Sequence, residues 1–122
     1  MAKKILVVDD SETIRQAVSF TLKNAGYDTS EAPNGLVALK EADSGKVDLV
    51  ITDLNMNFMD GLELIRKLRG GAGPNKFTPI LMLTTESAME KKEEGKAAGA
   101  TGWIVKPFIP EKLLAVVEKV LR

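Results

Sequence analysis

Histidine and cysteine are both absent from this 122-residue chain. Without cysteine there are no disulfides, no thiolate zinc sites and no cysteine nucleophile. Without histidine there is no Ser-His-Asp arrangement, no imidazole metal ligand and no histidine general base. An excess of one charge is also missing. The 17 basic and 17 acidic residues balance, so no global basic field draws the chain to nucleic acid. Long apolar runs are lacking as well: Met1-Ala2-Lys3-Lys4 leads into Ile5-Leu6-Val7-Val8, too short for a signal-peptide core. No stretch reaches transmembrane length. These absences point to a cytoplasmic protein with no membrane insertion and no nucleic-acid partner. The length fits one domain over residues 1–122 with a substantial buried core.

What is present is a set of short apolar runs that end in polar residues. Leu49-Val50-Ile51 is rich in β-branched residues and too short for an independent helix, so it reads as a strand buried on both faces. It ends at Asp53. A terminal Asp there is either a site residue at the strand's carboxyl end or an N-cap for the next helix. Ile5-Leu6-Val7-Val8 ends likewise in Asp9-Asp10-Ser11, and Pro79-Ile80-Leu81-Met82-Leu83 ends in Thr84-Thr85-Glu86. Gly102-Trp103-Ile104-Val105 ends in Lys106-Pro107, while Tyr27 to Glu31 is weaker and reads as an edge strand.

Helical periodicity fills the intervals. Ile14, Ala17, Val18, Leu22 and Ala25 mark a first helix stopped by Gly26, and Leu36, Ala38, Leu39 and Ala42 a second closed by Ser44-Gly45. Asp60 caps a third through Leu62, Ile65 and Leu68. Met89 to Ala98, with Ser87 before it as a cap, is a marginal fourth helix, charged on one face and weakened by Gly95 and Gly99. Leu113, Val116, Val117, Val120 and Leu121 mark the fifth. Gly70 to Asn75 is expected to be a flexible, solvated loop. Alternating strands and helices predict an α/β, doubly wound, five-stranded parallel sheet covered on both faces, a (βα)5 chain.

Asp9, Asp10, Asp53, Thr84 and Lys106 would then all project from one edge of the sheet. Helix capping accounts for the acids and the threonine, but not for a lysine that ends a buried strand before a proline. Three neighbouring carboxylates repel one another unless a cation sits among them, and an oxygen-rich site favours Mg²⁺. Adjacent strand residues point to opposite faces, so Asp9 and Asp10 share the site only if the strand has ended before them. A carboxylate nucleophile beside a cation, a lysine and a hydroxyl is equipped for phosphoryl transfer.

The set Asp9-Asp10, Asp53, Thr84 and Lys106-Pro107-Phe108 resembles the receiver domain of bacterial response regulators, of the single-domain, CheY-like chemotaxis type, over essentially the whole chain. The resemblance implies a flavodoxin-like strand order, 2-1-3-4-5. It implies a two-component phosphoprotein in which Asp53 accepts phosphate from a histidine of a separate sensor kinase. Asp10, Asp53 and the backbone carbonyl of Asn55 would hold Mg²⁺, with Asp9 acting through a bound water. Lys106 and Thr84 would contact phosphoryl oxygens, and the Lys106-Pro107 bond would be cis. Inward movement of Thr84 would couple to the rotamer of Trp103. Output would pass from the fourth helix, fifth strand and fifth helix of a monomer to a protein effector, with the flagellar motor switch the leading candidate and a phosphatase a further partner. Hydrolysis of the phosphoryl group would be slow self-dephosphorylation rather than enzymatic turnover.

Four positions depart from or tune that pattern. Trp103 stands where tyrosine or phenylalanine is more usual; if it is not simply a surface aromatic half-buried on the fourth helix, its bulk makes the inward state harder to pack. Asn57 replaces the usual proline, which predicts a more mobile loop with Phe58 exposed beside it. Asn55 and Glu86 match the positions that tune self-dephosphorylation, and an amide and a carboxylate there imply a short-lived phosphate. A Mg-dependent phosphohydrolase with an aspartyl-phosphate intermediate is the competing reading, although it would want an acid where Asn55 stands. A phosphate sink and a scaffold receiver that works unphosphorylated are the others; a nucleotide or flavin binder would need a glycine-rich phosphate loop the chain lacks.

Overall fold

Each apolar run becomes a strand, and the three central ones have both faces covered. The computed structural model describes residues 2–56, 58–85 and 89–122. Along them β1 (Lys4–Val8), α1 (Glu12–Asn24), β2 (Asp28–Ala32), α2 (Gly35–Asp43), β3 (Leu49–Asp53), α3 (Gly61–Gly70), β4 (Ile80–Thr85), α4 (Met89–Ala98), β5 (Gly102–Lys106) and α5 (Pro110–Leu121) alternate. The strands form one parallel sheet in the order β2-β1-β3-β4-β5. This is the flavodoxin-like arrangement.

Alternation along the strands divides the core in two. Leu6, Val8, Val50, Ile80 and Met82 pack with Ala38, Leu64 and Ile65 of α2 and α3 on one face. Ile5, Val7, Leu49, Ile51, Leu81 and Leu83 pack with Val18, Leu22, Leu113 and Val117 of α1 and α5 on the other. Side chains of this size stabilise by about 1.5–3 kcal/mol each on full burial, so the central strands hold the sheet. β2, which mixes exposed and half-buried polar residues, is an edge strand as expected.

The helix starts follow local chemistry. Ser11, Asn34 and Asp60 accept hydrogen bonds from the backbone N–H groups of Ile14, Val37 and Glu63, and Pro110 occupies the first turn of α5. Gly26 ends α1 at a φ of +96°, where the missing Cβ makes the left-handed conformation accessible. The proposed cap Ser87 lies outside the described residues.

Two expectations are corrected. The loop from Gly70 is not simply solvated, because Asn75 is buried. Its amide accepts from Val47 N–H at 2.8 Å and donates to the carbonyls of Ala42 and Gly45 at 2.6 and 3.0 Å. Nor do Gly95 and Gly99 merely weaken α4. A Cβ at Gly95 would collide with the Met82 sulfur, so this glycine lets the helix seat on β4; Gly99, at a φ of +114°, terminates it.

Candidate functional site

The register sets the site. Val8 pairs with Thr52 at the end of β1 and β3, so one further step brings Asp9 level with Asp53. Asp53 pairs with Leu83, Leu83 with Ile104, and Thr85 with Lys106. Asp53 and Lys106 therefore share a face, while Thr84 and Trp103 share the other. β1 ends at Val8, as it must for Asp9 and Asp10 to reach one site. Asp9 is buried and Asp10 exposed, and carboxylate oxygens of Asp9, Asp10 and Asp53 lie within 4.8 Å of one another.

Lys106 joins them. Its ammonium stands 3.0 Å from Asp53 Oδ1 and 3.4 Å from Asp9 Oδ2. The Leu54 N–H also donates to Asp53 Oδ1, at 2.8 Å, so both contacts leave Oδ2 uncommitted among the described residues. Asp53 does not cap α3, which Asp60 does. Ser11 N–H donates to Asp9 Oδ1 at 2.9 Å, whereas the buried Asp9 Oδ2 has the Lys106 ammonium as its ion-pair partner at 3.4 Å and no shorter hydrogen bond among the described residues. Burial raises the Asp9 carboxyl above its ordinary pKa; the Ser11 N–H opposes this, the Asp53 charge adds to it, and the Lys106 ammonium opposes it.

These residues fit a hard divalent cation. Three carboxylates against one ammonium leave negative charge uncompensated, and a buried carboxylate oxygen held only by a 3.4 Å ion pair keeps a lone pair that such an ion accepts. Asp9, Asp10 and Asp53 would hold it, and it would supply charge neutralisation at the edge where Asp53 opens. Asn55 is exposed two residues beyond Asp53. Thr84 is buried at the end of β4, with its hydroxyl donating to the Thr85 carbonyl at 3.3 Å rather than to the acids. The Lys106-Pro107 peptide is cis. Phe58 is 83% exposed with a φ of 71°. Asn57 and Glu86 lie outside the described residues.

Reasoning from sequence missed two supports. Arg15 donates to the Asp9 carbonyl at 2.8 Å and pairs with Glu31 at 3.0 Å, fixing the backbone that carries the buried acid. Gly61 lies so close that a Cβ there would collide with the Asp53 carbonyl, and its N–H donates to the Leu54 carbonyl at 2.9 Å. Only the short Asp60-Gly61 sequence hinted at the second.

The chain matches the family model of the response regulator receiver domain over residues 5–118. It belongs to the response regulator receiver family. Among curated receiver proteins it is 40% identical over 118 residues to chemotaxis protein CheY-3 of Vibrio cholerae, covering 96% of this chain and 90% of that protein. It is 39% identical to the transcriptional regulatory protein PhoP of Bacillus subtilis, all of this chain matching but only 50% of PhoP's length. The solved structure of Vibrio cholerae CheY4 superposes with a TM-score of 0.93 at 52% identity, covering 99% of this chain and 100% of that one. This receiver is thus a signalling module of CheY-like type, and an acidic cluster capable of holding Mg²⁺ stands at its strand ends.

Proposed function

We propose that this receiver is the phosphoacceptor of a two-component system, with Asp53 as the residue modified. The observation that carries this reading is the Lys106 ammonium set 3.0 Å from Asp53 Oδ1 and 3.4 Å from Asp9 Oδ2, beside an Oδ2 free to act as nucleophile. An Asp53 carboxylate oxygen attacks phosphorus, an O–P bond forms, and the P–N bond of a kinase phosphohistidine breaks, the departing imidazole nitrogen taking a proton from solvent. Lys106 orients Asp53 and then meets a phosphoryl oxygen, and Thr84 swings from Thr85 to meet another. Asp9, Asp10, Asp53 and the Asn55 carbonyl would hold Mg²⁺, which would supply charge neutralisation. Asn55 and Glu86 set the lifetime of the phosphate.

Thr84 and Trp103 lie on the same face of neighbouring strands, Thr84 pairing with Val105 and Trp103 two residues before it. Such diagonal neighbours reach one another, so displacement of Thr84 opens space for the indole. The output is then read on α4, β5 and α5, where Trp103 and Ile109 are half exposed and border a groove of about 640 Å³. The effector is a protein, and likeness to chemotaxis proteins supports the flagellar motor switch; the setting is the cytoplasm, and no helix of the described residues is long and apolar enough to cross a membrane. Mass spectrometry after incubation with acetyl phosphate and Mg²⁺ tests the assignment: wild type gains one phosphoryl group and Asp53→Asn gains none. Equal labelling of both proteins refutes it.

A further inference from the structure

Two contacts of α4 with the sheet lie side by side. Met82 of β4 and Trp103 of β5 are register partners. Gly95 of α4 seats on Met82. One turn earlier on the same helix, the Lys92 ammonium stands 5.1 Å from the centroid of the Trp103 ring. That is within cation–π range. The positions of α4 three and four residues from Lys92 are Met89, Gly95 and Lys96, so its own helix offers no carboxylate at neighbour spacing. The adjacent Lys91 differs, since it pairs with Glu94 at 3.5 Å. Among the described residues the indole is the partner that Lys92 has.

We propose that Lys92 is a positioning residue for the switch: its ammonium, seated on the Trp103 ring, holds the indole in its outward place. The proposal rests on the reading of Trp103 as moving when Thr84 does. For the ring to turn inward toward Met82 and Thr84 the cation must be left behind or α4 must follow. The outward state is therefore favoured by the strength of one partly exposed cation–π contact, which corresponds to a ratio of about two- to fivefold. A phosphoryl signal must overcome that ratio before the output face changes. A tryptophan gives this contact more strength than a tyrosine or phenylalanine would, so the unusual aromatic and the lysine act as one device.

The chain has a single tryptophan, which makes the test direct. In the resting protein the Lys92 ε-methylene protons, lying over the ring, resonate upfield by nuclear magnetic resonance, and they return to their ordinary position when beryllofluoride and Mg²⁺ are added. In a beryllofluoride titration followed by Trp103 emission, the midpoint falls about two- to fivefold in Lys92→Gln. Lys92→Arg, which keeps the cation, behaves as wild type. No upfield shift, or equal midpoints for Lys92→Gln and wild type, overturns the proposal while leaving Asp53 labelling intact. If wild-type emission does not respond although Asp53 is labelled by acetyl phosphate, the switch itself fails and Lys92 has nothing to position. If Asp53 takes no label, the phosphoacceptor reading fails first, and the positioning role falls with it.

Discussion

At the scale of single residues, the site depends on groups that touch backbone. Gly61 is the clearest. α3 begins against the Asp53 carbonyl, in space that a methyl group cannot share. Gly61→Ala is expected to lose about 1–3 kcal/mol of stability, the usual cost of forcing atoms into packed space, as measured by urea unfolding. It should also slow acetyl-phosphate labelling, because the carbonyl that must shift belongs to the proposed phosphoacceptor. Asp53, Thr84 and Lys106 were legible in the sequence because each interrupts an apolar run with a residue that a strand end tolerates and a core does not. Gly61 and Arg15 were not. Their partners are the carbonyls of Asp53 and Asp9, and a carbonyl is present at every position, so it leaves no mark in the pattern of side chains.

At the scale of elements, α4 shows why propensity misleads. In an exposed helix, alanine in place of glycine gains roughly 1 kcal/mol. Here the Met82 side chain occupies the place of the missing Cβ. Gly95→Ala is therefore expected to destabilise, by about 1–3 kcal/mol, and the double variant with Met82→Ala should recover part of that loss in a double-mutant cycle. Thermal unfolding of the four proteins decides it; a stabilised single variant would show that α4 does not seat on β4 as described. Strand spans, the β2 edge and the Asp60 cap were readable from apolar runs, alternation and cap preference. The Asn75 clasp was hidden because its partners, Ala42, Gly45 and Val47, lie about thirty residues away in sequence and a glycine-rich neighbourhood reads as solvent-facing. Arg69 was hidden likewise: half-buried at the end of α3, it donates to the carbonyls of Lys76, Thr78 and Gly99, a cluster that exists only once α3, β4 and α4 have assembled.

At the scale of the whole molecule, the acid cluster links stability to pH and to metal. Burial raises the Asp9 pKa in the fold, so across the carboxylate range the folded chain binds more protons at this group than the unfolded chain does. By linkage its contribution to stability falls as pH rises through that window. Asp9→Asn removes the term. Without metal, the variant is expected to be more stable than wild type at neutral pH, with the gap closing toward acid pH. Mg²⁺ is expected to reverse the order if the acidic cluster holds it, since an ion bound only by the folded state stabilises it by about 2.7 kcal/mol at a hundred times its dissociation constant. Thermal melts at several pH values, with Mg²⁺ and with a chelator, read both effects. A gap that does not change with pH would show that the Asp9 charge carries no stability term.

The sheet has a direction, and that direction governs how such a domain can be joined to anything else. β1 is entered at Lys4 and delivers Asp9 at its far end. α5 starts at Pro110, just beyond Lys106 at the acidic edge, and its 12 residues carry the chain about 18 Å back along the sheet. The entry and exit of the polypeptide therefore both lie on the side away from Asp53. A tether, a surface or a fused domain attached at either end leaves the acidic edge open to a donor. It also places the attached cargo out of direct reach of Asp53, so any message from that edge to the cargo has to travel through the packed faces of the sheet.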